Sequence, residues 1–418
     1  YNNAIGSYAL NANTTGCYNA AIGNSALRNN IAGLHNNAIG YNTLYSNTSG
    51  GHNNAIGWSA LYLNRTGEYN QAIGCGALFS NVVGSNNNAV GRLSLYTNTS
   101  GDNNTALGAY ALRFNTTGCD NQAIGYQALN NNTTGGCNTA IGQNALCANT
   151  TGYNNFAAGS SSLLKNTTGY YNTAIGNQAL QWNVTGQSNF AVGYRAMLNN
   201  DRGGANNAFG HCALANNIMG CYNNALGNGA LQYSTSGNNN NAIGNQALGS
   251  NTTGCDNNAI GQSALYSNIA GCYNQAIGNG TLYANTSGHY NTALGYNALY
   301  SNTTGCHNNA IGRGTLGANT TGNYNNAIGC GPLQANTTGL YNTAIGYEAL
   351  KSNTTGCDNQ AIGRCALVAN IAGLHNNAIG YNTLFANTSG CYNNAFGRGA
   401  LGSNTTGNHN NAMGCNAL

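Results

Sequence analysis

A glycine recurs every 17 residues from Gly6 to Gly414, giving 25 glycines in 24 equal intervals without one insertion or deletion. No other feature constrains the fold as tightly, because a fixed period makes each repeat one structural unit stacked on the next. We number slots from this glycine, slot 0. Slot −4 is Asn and slot −2 is Ala in all 25 repeats, and slot +10 is Gly in all 24. Slot −1 is apolar throughout, mostly Ile. Slot +4 is Leu except at Met197, and slot +7 is Asn except at Ser234. The consensus is N-x-A-I-G-x-x-A-L-x-x-N-T-T-G-x-x. Slots +1, +2, +5, +6, +11 and +12 vary and accept charge, which places them in solvent.

Seventeen residues cannot hold two helices and a turn, and Asn, Gly and Thr are poor helix formers. The spacing predicts an all-β chain, a β-solenoid or β-roll of about 25 coils that runs over 1–418 as one continuous array. At roughly 4.8 Å per coil, this gives a rod about 120 Å long. Two short strands per coil are expected, one through N-x-A-I-G and one from A-L to N-T-T. The apolar residues of slots −1 and +4, mostly Ile and Leu, are expected in the core. That core is small for 17 ordered residues, so side-chain ladders must add to it, with the Asn of slots −4 and +7 as the two candidates. Ala and Ile are adjacent in a strand whose side chains alternate faces. Either Ala sits at a corner or its face packs on another chain.

Composition narrows the function. Only 4% of residues are charged and the net charge is +4. This charge is spread along the chain, which argues against nucleic acid as a partner. No apolar run is long enough for a membrane span. The pattern is already under way at Tyr1 and still running at Leu418, which reads as a segment of a longer protein.

The motif N-x-A-I-G-x-x-A-L-x-x-N-T-T-G, seen at Asn172-Thr173-Ala174-Ile175-Gly176 and Asn342-Thr343-Ala344-Ile345-Gly346, resembles repeats of bacterial and phage surface fibres. Its A-I-G-x-x-A core is similar to the head repeats of trimeric autotransporter adhesins, which form β-rolls with a period nearer 14 residues. The resemblance implies an oligomeric fibre or adhesin on the surface of a cell or virion.

No residues gather for catalysis. The 7 acidic residues are scattered singly, and no phosphate-binding loop is present, so no catalytic residues, cofactor or metal are assigned. Five histidines, among them His35 and His52, share slot +12 with Tyr. They read as an exposed, stackable aromatic row in which a metal site is the lesser alternative. Eight cysteines share slot +11: Cys17, Cys119, Cys221, Cys255, Cys272, Cys306, Cys357 and Cys391. With Cys137 at slot +12, these are candidates for disulfides between coils or between chains. N-x-S/T triplets begin at 17 of the slot +7 asparagines. Asn13, Asn47, Asn64, Asn98, Asn115 and Asn149, with Thr14 and Thr116, are candidate glycosylation sites. Yet slot +7 keeps Asn where the triplet is lost, as at Asn30 and Asn370, which favours a ladder.

The expected function is therefore structural: an extracellular fibre, filament or shaft without enzymatic activity. It would self-associate as a homo-oligomer, possible forms being a trimer or a lateral bundle. The alternative is an adhesin whose Tyr, Asn and Gln rows bind glycans. An ice-binding solenoid is a weaker rival, because its Thr pairs are adjacent and point to opposite sides.

Overall fold

The computed structural model describes residues 1–418. It contains 25 strands of three residues and no helix. Each strand occupies slots −3 to −1. The chain forms two compact units, Tyr1–Ala205 and Asn206–Leu418. The first carries β1 (Asn3–Ile5) to β12 (Phe190–Val192), the second β13 (Asn207–Phe209) to β25 (Asn411–Met413). Each unit is a β-solenoid with parallel strands in register one repeat apart. In the first, β3 (Asn37–Ile39) pairs with β4 (Asn54–Ile56), setting Ala38 beside Ala55 and Ile39 beside Ile56. In the second, β16 (Asn258–Ile260) and β17 (Gln275–Ile277) set Ala259 beside Ala276.

The predicted second strand does not form. The A-L segment is a turn, because the backbone at Leu is left-handed: Leu44 has φ 51° and Leu61 φ 50°. Such a conformation costs a non-glycine residue about 1–2 kcal/mol. It is held here by complete burial of the Leu side chain and by a bond to the next coil, Leu44 N–H to the Ala60 carbonyl at 3.0 Å. Slots +2 and +12 are also left-handed, as at Asn42 (φ 54°) and His52 (φ 59°). Their N–H groups point the other way, Asn42 donating to Asn24 and His52 to Leu34 of the preceding coil. The alternation lets turn backbone hydrogen-bond to coils on both sides.

The core also differs from expectation. The side chains packed inside are the Ala of slots −2 and +3 and the Leu of slot +4: Ala55, Ala60 and Leu61 are wholly buried. The slot −1 residue, mostly Ile, faces outward. Ile73, Ile124 and Ile175 are 36–39% exposed. In a three-residue strand only the middle side chain turns inward. The small Ala is therefore an interior residue packed within its own chain, neither a corner nor a contact with another.

Slot 0 needs glycine. Gly57 has φ +131°, and a Cβ there would lie 2.7 Å from the Gly74 carbonyl oxygen.

Candidate functional site

Two Asn ladders run up the inside of each unit. At slot +7, Asn47 Nδ2 donates to Asn30 Oδ1 (2.8 Å) and to the Gly50 carbonyl (2.9 Å). At slot −4, Asn70 donates to Asn53 Oδ1 with both its backbone N–H (3.0 Å) and Nδ2 (3.1 Å), and its Nδ2 also reaches the Gly84 carbonyl (2.8 Å). Both expected ladders are present, in rungs that are almost entirely buried. The Nδ2 that a glycan would take is therefore committed at Asn47, Asn64, Asn98, Asn115 and Asn149, all wholly buried. These positions are ladder rungs. Asn13, in the first coil, is half-buried and donates to Gly16. The Thr of slot +8 uses its hydroxyl on the next coil, Thr14 to the Ile31 carbonyl and Thr116 to the Thr133 carbonyl.

Slot +11 has a structural logic that the sequence reading missed. A Ser, Asp, Asn, His or Cys side chain there can accept the slot +11 N–H of the preceding coil. Asp102 accepts from Ser85 (2.7 Å), Asn238 from Cys221 (2.7 Å) and His289 Nδ1 from Cys272 (2.9 Å). Cysteine sulfur fills the same role. Cys119 accepts from Asp102, Cys255 from Asn238, Cys272 from Cys255, Cys306 from His289, Cys357 from Leu340 and Cys391 from Leu374, at 3.2–3.4 Å. The interchange of Cys, Asp, Asn, Ser and His, all short acceptors, was the available signal. All fifteen cysteines are free thiols, with Cys17 and Cys137 among the exposed ones. Burial pushes the Cys272 thiol up, which disfavours its reactive thiolate. Cys137 donates its N–H to the Cys119 carbonyl.

Aromatic rings at slot +12 stack as expected. Tyr18, His35, His52 and Tyr69 form one run, with His35 and His52 at 4.9 Å and 12°. Tyr290, His307, Tyr324 and Tyr341 form another in the second unit. A second column at slot +5, absent from the sequence reading, stacks Tyr45, Tyr62, Phe79 and Tyr96. Neither unit gathers three or more His, Cys, Asp or Glu side chains in a metal-binding group.

Charge that is spread along the sequence is sorted by slot. Nine of the 11 basic residues lie at slots +1, +2, +5 and +6, among them Arg28, Arg113, Arg313 and Arg398. Five of the 7 acidic residues, Glu68, Asp102, Asp120, Asp256 and Asp358, lie at slots +11 and +12. Seven of these nine cations rest on rings, for example Arg28 at 4.8 Å from Tyr8 and Arg364 at 5.6 Å from Tyr347. The sheet face carries no charge at all, since slots −3 and −1 hold only Asn, Gln, Thr and apolar residues.

Compared with known proteins, the chain matches no family model and no curated relative.

Proposed function

We propose that this chain is a structural protein without enzymatic activity, built to extend and to associate with copies of itself through its sheet face. The observation that carries the reading is the pairing of two buried Asn ladders with an outward column of Ile. The ladders hold successive coils in register. The outward column adds nothing to the interior, yet slot −1 stays apolar in all 25 repeats and lies on an uncharged face. Over a dozen coils, an exposed third of each Ile together with the flanking slot −3 residues reaches the scale of about 800 Å² per partner in stable interfaces. A second copy has the same spacing and can meet every rung. The resemblance to surface-fibre repeats supports a filament or fibre shaft outside a cell or on a virion.

Light scattering and electron microscopy of the purified chain test the reading. Filaments or discrete oligomers that dissociate when outward Ile residues are replaced by Lys are expected. A chain that stays monomeric at all concentrations would overturn it.

A further inference from the structure

The face formed by slots +1, +2, +5 and +6 is crowded with side chains in most coils. It opens where slots +2 and +5 are both glycine, which happens in only two of the 24 coils that hold both slots. One is the coil of Gly314 and Gly317. Gly314 has φ +62°, and a Cβ built there meets nothing within 4 Å. The backbone does not demand glycine at this slot, since Asn297 and Glu348 hold it at φ 54° and 53°. What the missing side chains leave is a recess of about 400 Å³, lined by Tyr296, Asn297, Tyr300, Arg313 and Gln334. Tyr300 ends a stacked column with Tyr283 and Tyr266. The next coil offers Gly317 where a further ring would stand, so the last ring has no aromatic neighbour on that side. Arg313 is exposed and takes no part in the ion pairs of the chain, Arg202 with Asp201 and Lys351 with Glu348.

The second coil of this kind lies 85 residues on, five steps of 17. Tyr381, Asn382, Phe385, Arg398, Gly399 and Gly402 occupy the slots of Tyr296, Asn297, Tyr300, Arg313, Gly314 and Gly317. Four of them, Asn382, Phe385, Gly399 and Gly402, line another recess, of about 370 Å³, together with Ser403, Asn416 and Leu418. Arg398 precedes the lining Gly399 in the chain, and its guanidinium lies 5.6 Å from the Tyr381 ring. Between the segments 295–322 and 380–407, 8 of 28 positions differ. Among the six matched positions only one differs, and it exchanges one aromatic ring for another.

From this coincidence we infer that the two recesses are ligand sites for a carboxylate-bearing pyranose, a sugar acid of the uronate or sialate type. The ring of Tyr300 or Phe385 offers a flat apolar surface for the C–H face of a pyranose. The adjoining guanidinium offers a planar pair of donors for a carboxylate, and the Asn amide serves a hydroxyl. Recesses of this size lie within the range of small-molecule sites. The inference is independent of self-association, because the sites are on slots +1 to +5 and the Ile column is on slot −1.

The test titrates the full chain with methyl glucuronide, N-acetylneuraminic acid and the neutral methyl glucoside, read by calorimetry. At least one acid is expected to bind at two sites per chain and at least tenfold more tightly than the glucoside. Gly317→Tyr continues the Tyr266–Tyr283–Tyr300 stack across the first recess, so the fold is retained by design, with circular dichroism as the check. It should reduce the stoichiometry from two to one. Arg313→Gln with Arg398→Gln should weaken the acid at least tenfold. Equal binding of acid and glucoside, no binding of any of the three at millimolar concentration, or an unchanged stoichiometry in folded Gly317→Tyr would each overturn the assignment.

Discussion

The side-chain amides of Asn36 and Asn47 converge on one acceptor, the carbonyl oxygen of Gly50, each at 2.9 Å. The two ladders are thereby tied together at every coil where this geometry repeats. It also explains why slot +10 is invariant although its φ is ordinary. A Cβ on Gly50 would stand 2.7 Å from Asn47 Oδ1 and 2.9 Å from Asn64 Nδ2, and would strike the Gly67 carbonyl oxygen. Glycine is required there for space.

A carboxylate placed in the slot +7 ladder should give a pH-dependent defect. Asn115 donates to Asn98 Oδ1 (2.8 Å) and the Gly118 carbonyl (2.9 Å), and accepts from Asn132 Nδ2 (2.8 Å). Asn115→Asp sets an anionic oxygen against two acceptors in a buried site. Its folded pKa must then rise above the unfolded value of about 3.9. A raised carboxyl pKa means the folded state holds the proton longer, so stability falls as pH climbs above about 4 and recovers below it. Urea denaturation should show a loss of about 3 kcal/mol at pH 7 that shrinks at pH 3. Asn115→Ala should show a loss with no such pH dependence.

The one interruption of the slot +7 ladder should be repairable. Ser234 is wholly buried, and its hydroxyl has no hydrogen-bond partner. Asn251 Nδ2, one coil on, bonds the Gly254 carbonyl at 3.0 Å. In Ser234→Asn the new amide would accept from Asn251 and donate to Asn217 Oδ1 and the Gly237 carbonyl. Two or three bonds at about 1 kcal/mol each predict a gain of about 2 kcal/mol. Hydrogen exchange should slow in the coils around position 234 and hardly change far from it, because each coil couples to its neighbours.

Glycine is not equally necessary in every slot. Gly57→Ala combines φ +131° with a 2.7 Å approach to the Gly74 backbone. Neither strain can relax without separating two coils, so a loss above about 3 kcal/mol is expected. Gly314→Asn keeps a left-handed φ that Asn297 already adopts and enters open space. It should change stability by less than about 1 kcal/mol. Thermal unfolding of the two variants side by side measures the difference.

Much of this was legible in the residues. The period and the poor helix formers dictate stacked coils. Two Asn slots, one invariant and one broken only at Ser234, in a chain with little charge point to buried amide ladders, and both are present. The inward Leu and the stacked His35 and His52 follow from the same slot arithmetic. The second strand failed because nothing in the composition of A-L-x-x-N reveals that Leu44 adopts φ 51°; that conformation is imposed by the neighbouring coils. The choice between Ala and Ile for the interior failed because adjacent apolar residues satisfy either register of a three-residue strand. The glycines at 314 and 317 looked like ordinary variation until the coil showed them on one face, beside the Tyr300 ring.

The Ala-in, Ile-out assignment makes opposite predictions for two adjacent residues. Ala276 is wholly buried and Ile277 is 36% exposed, both in β17. Ala276→Leu must insert three carbons among the Ala and Leu side chains of neighbouring coils. It should cost about 1–3 kcal/mol, with faster hydrogen exchange in β17 and in the strands beside it. Ile277→Lys removes no interior contact and should leave unfolding of the single chain within about 0.5 kcal/mol of the parent. Combined with Ile243→Lys and Ile311→Lys, it puts like charges on a face meant to meet its own copy, where they repel across the contact. Sedimentation velocity should then show the assembled species replaced by single chains with an unchanged circular dichroism spectrum. If the Lys variants unfold while Ala276→Leu is tolerated, Ile rather than Ala fills the interior, and the sheet face is not the surface through which copies meet.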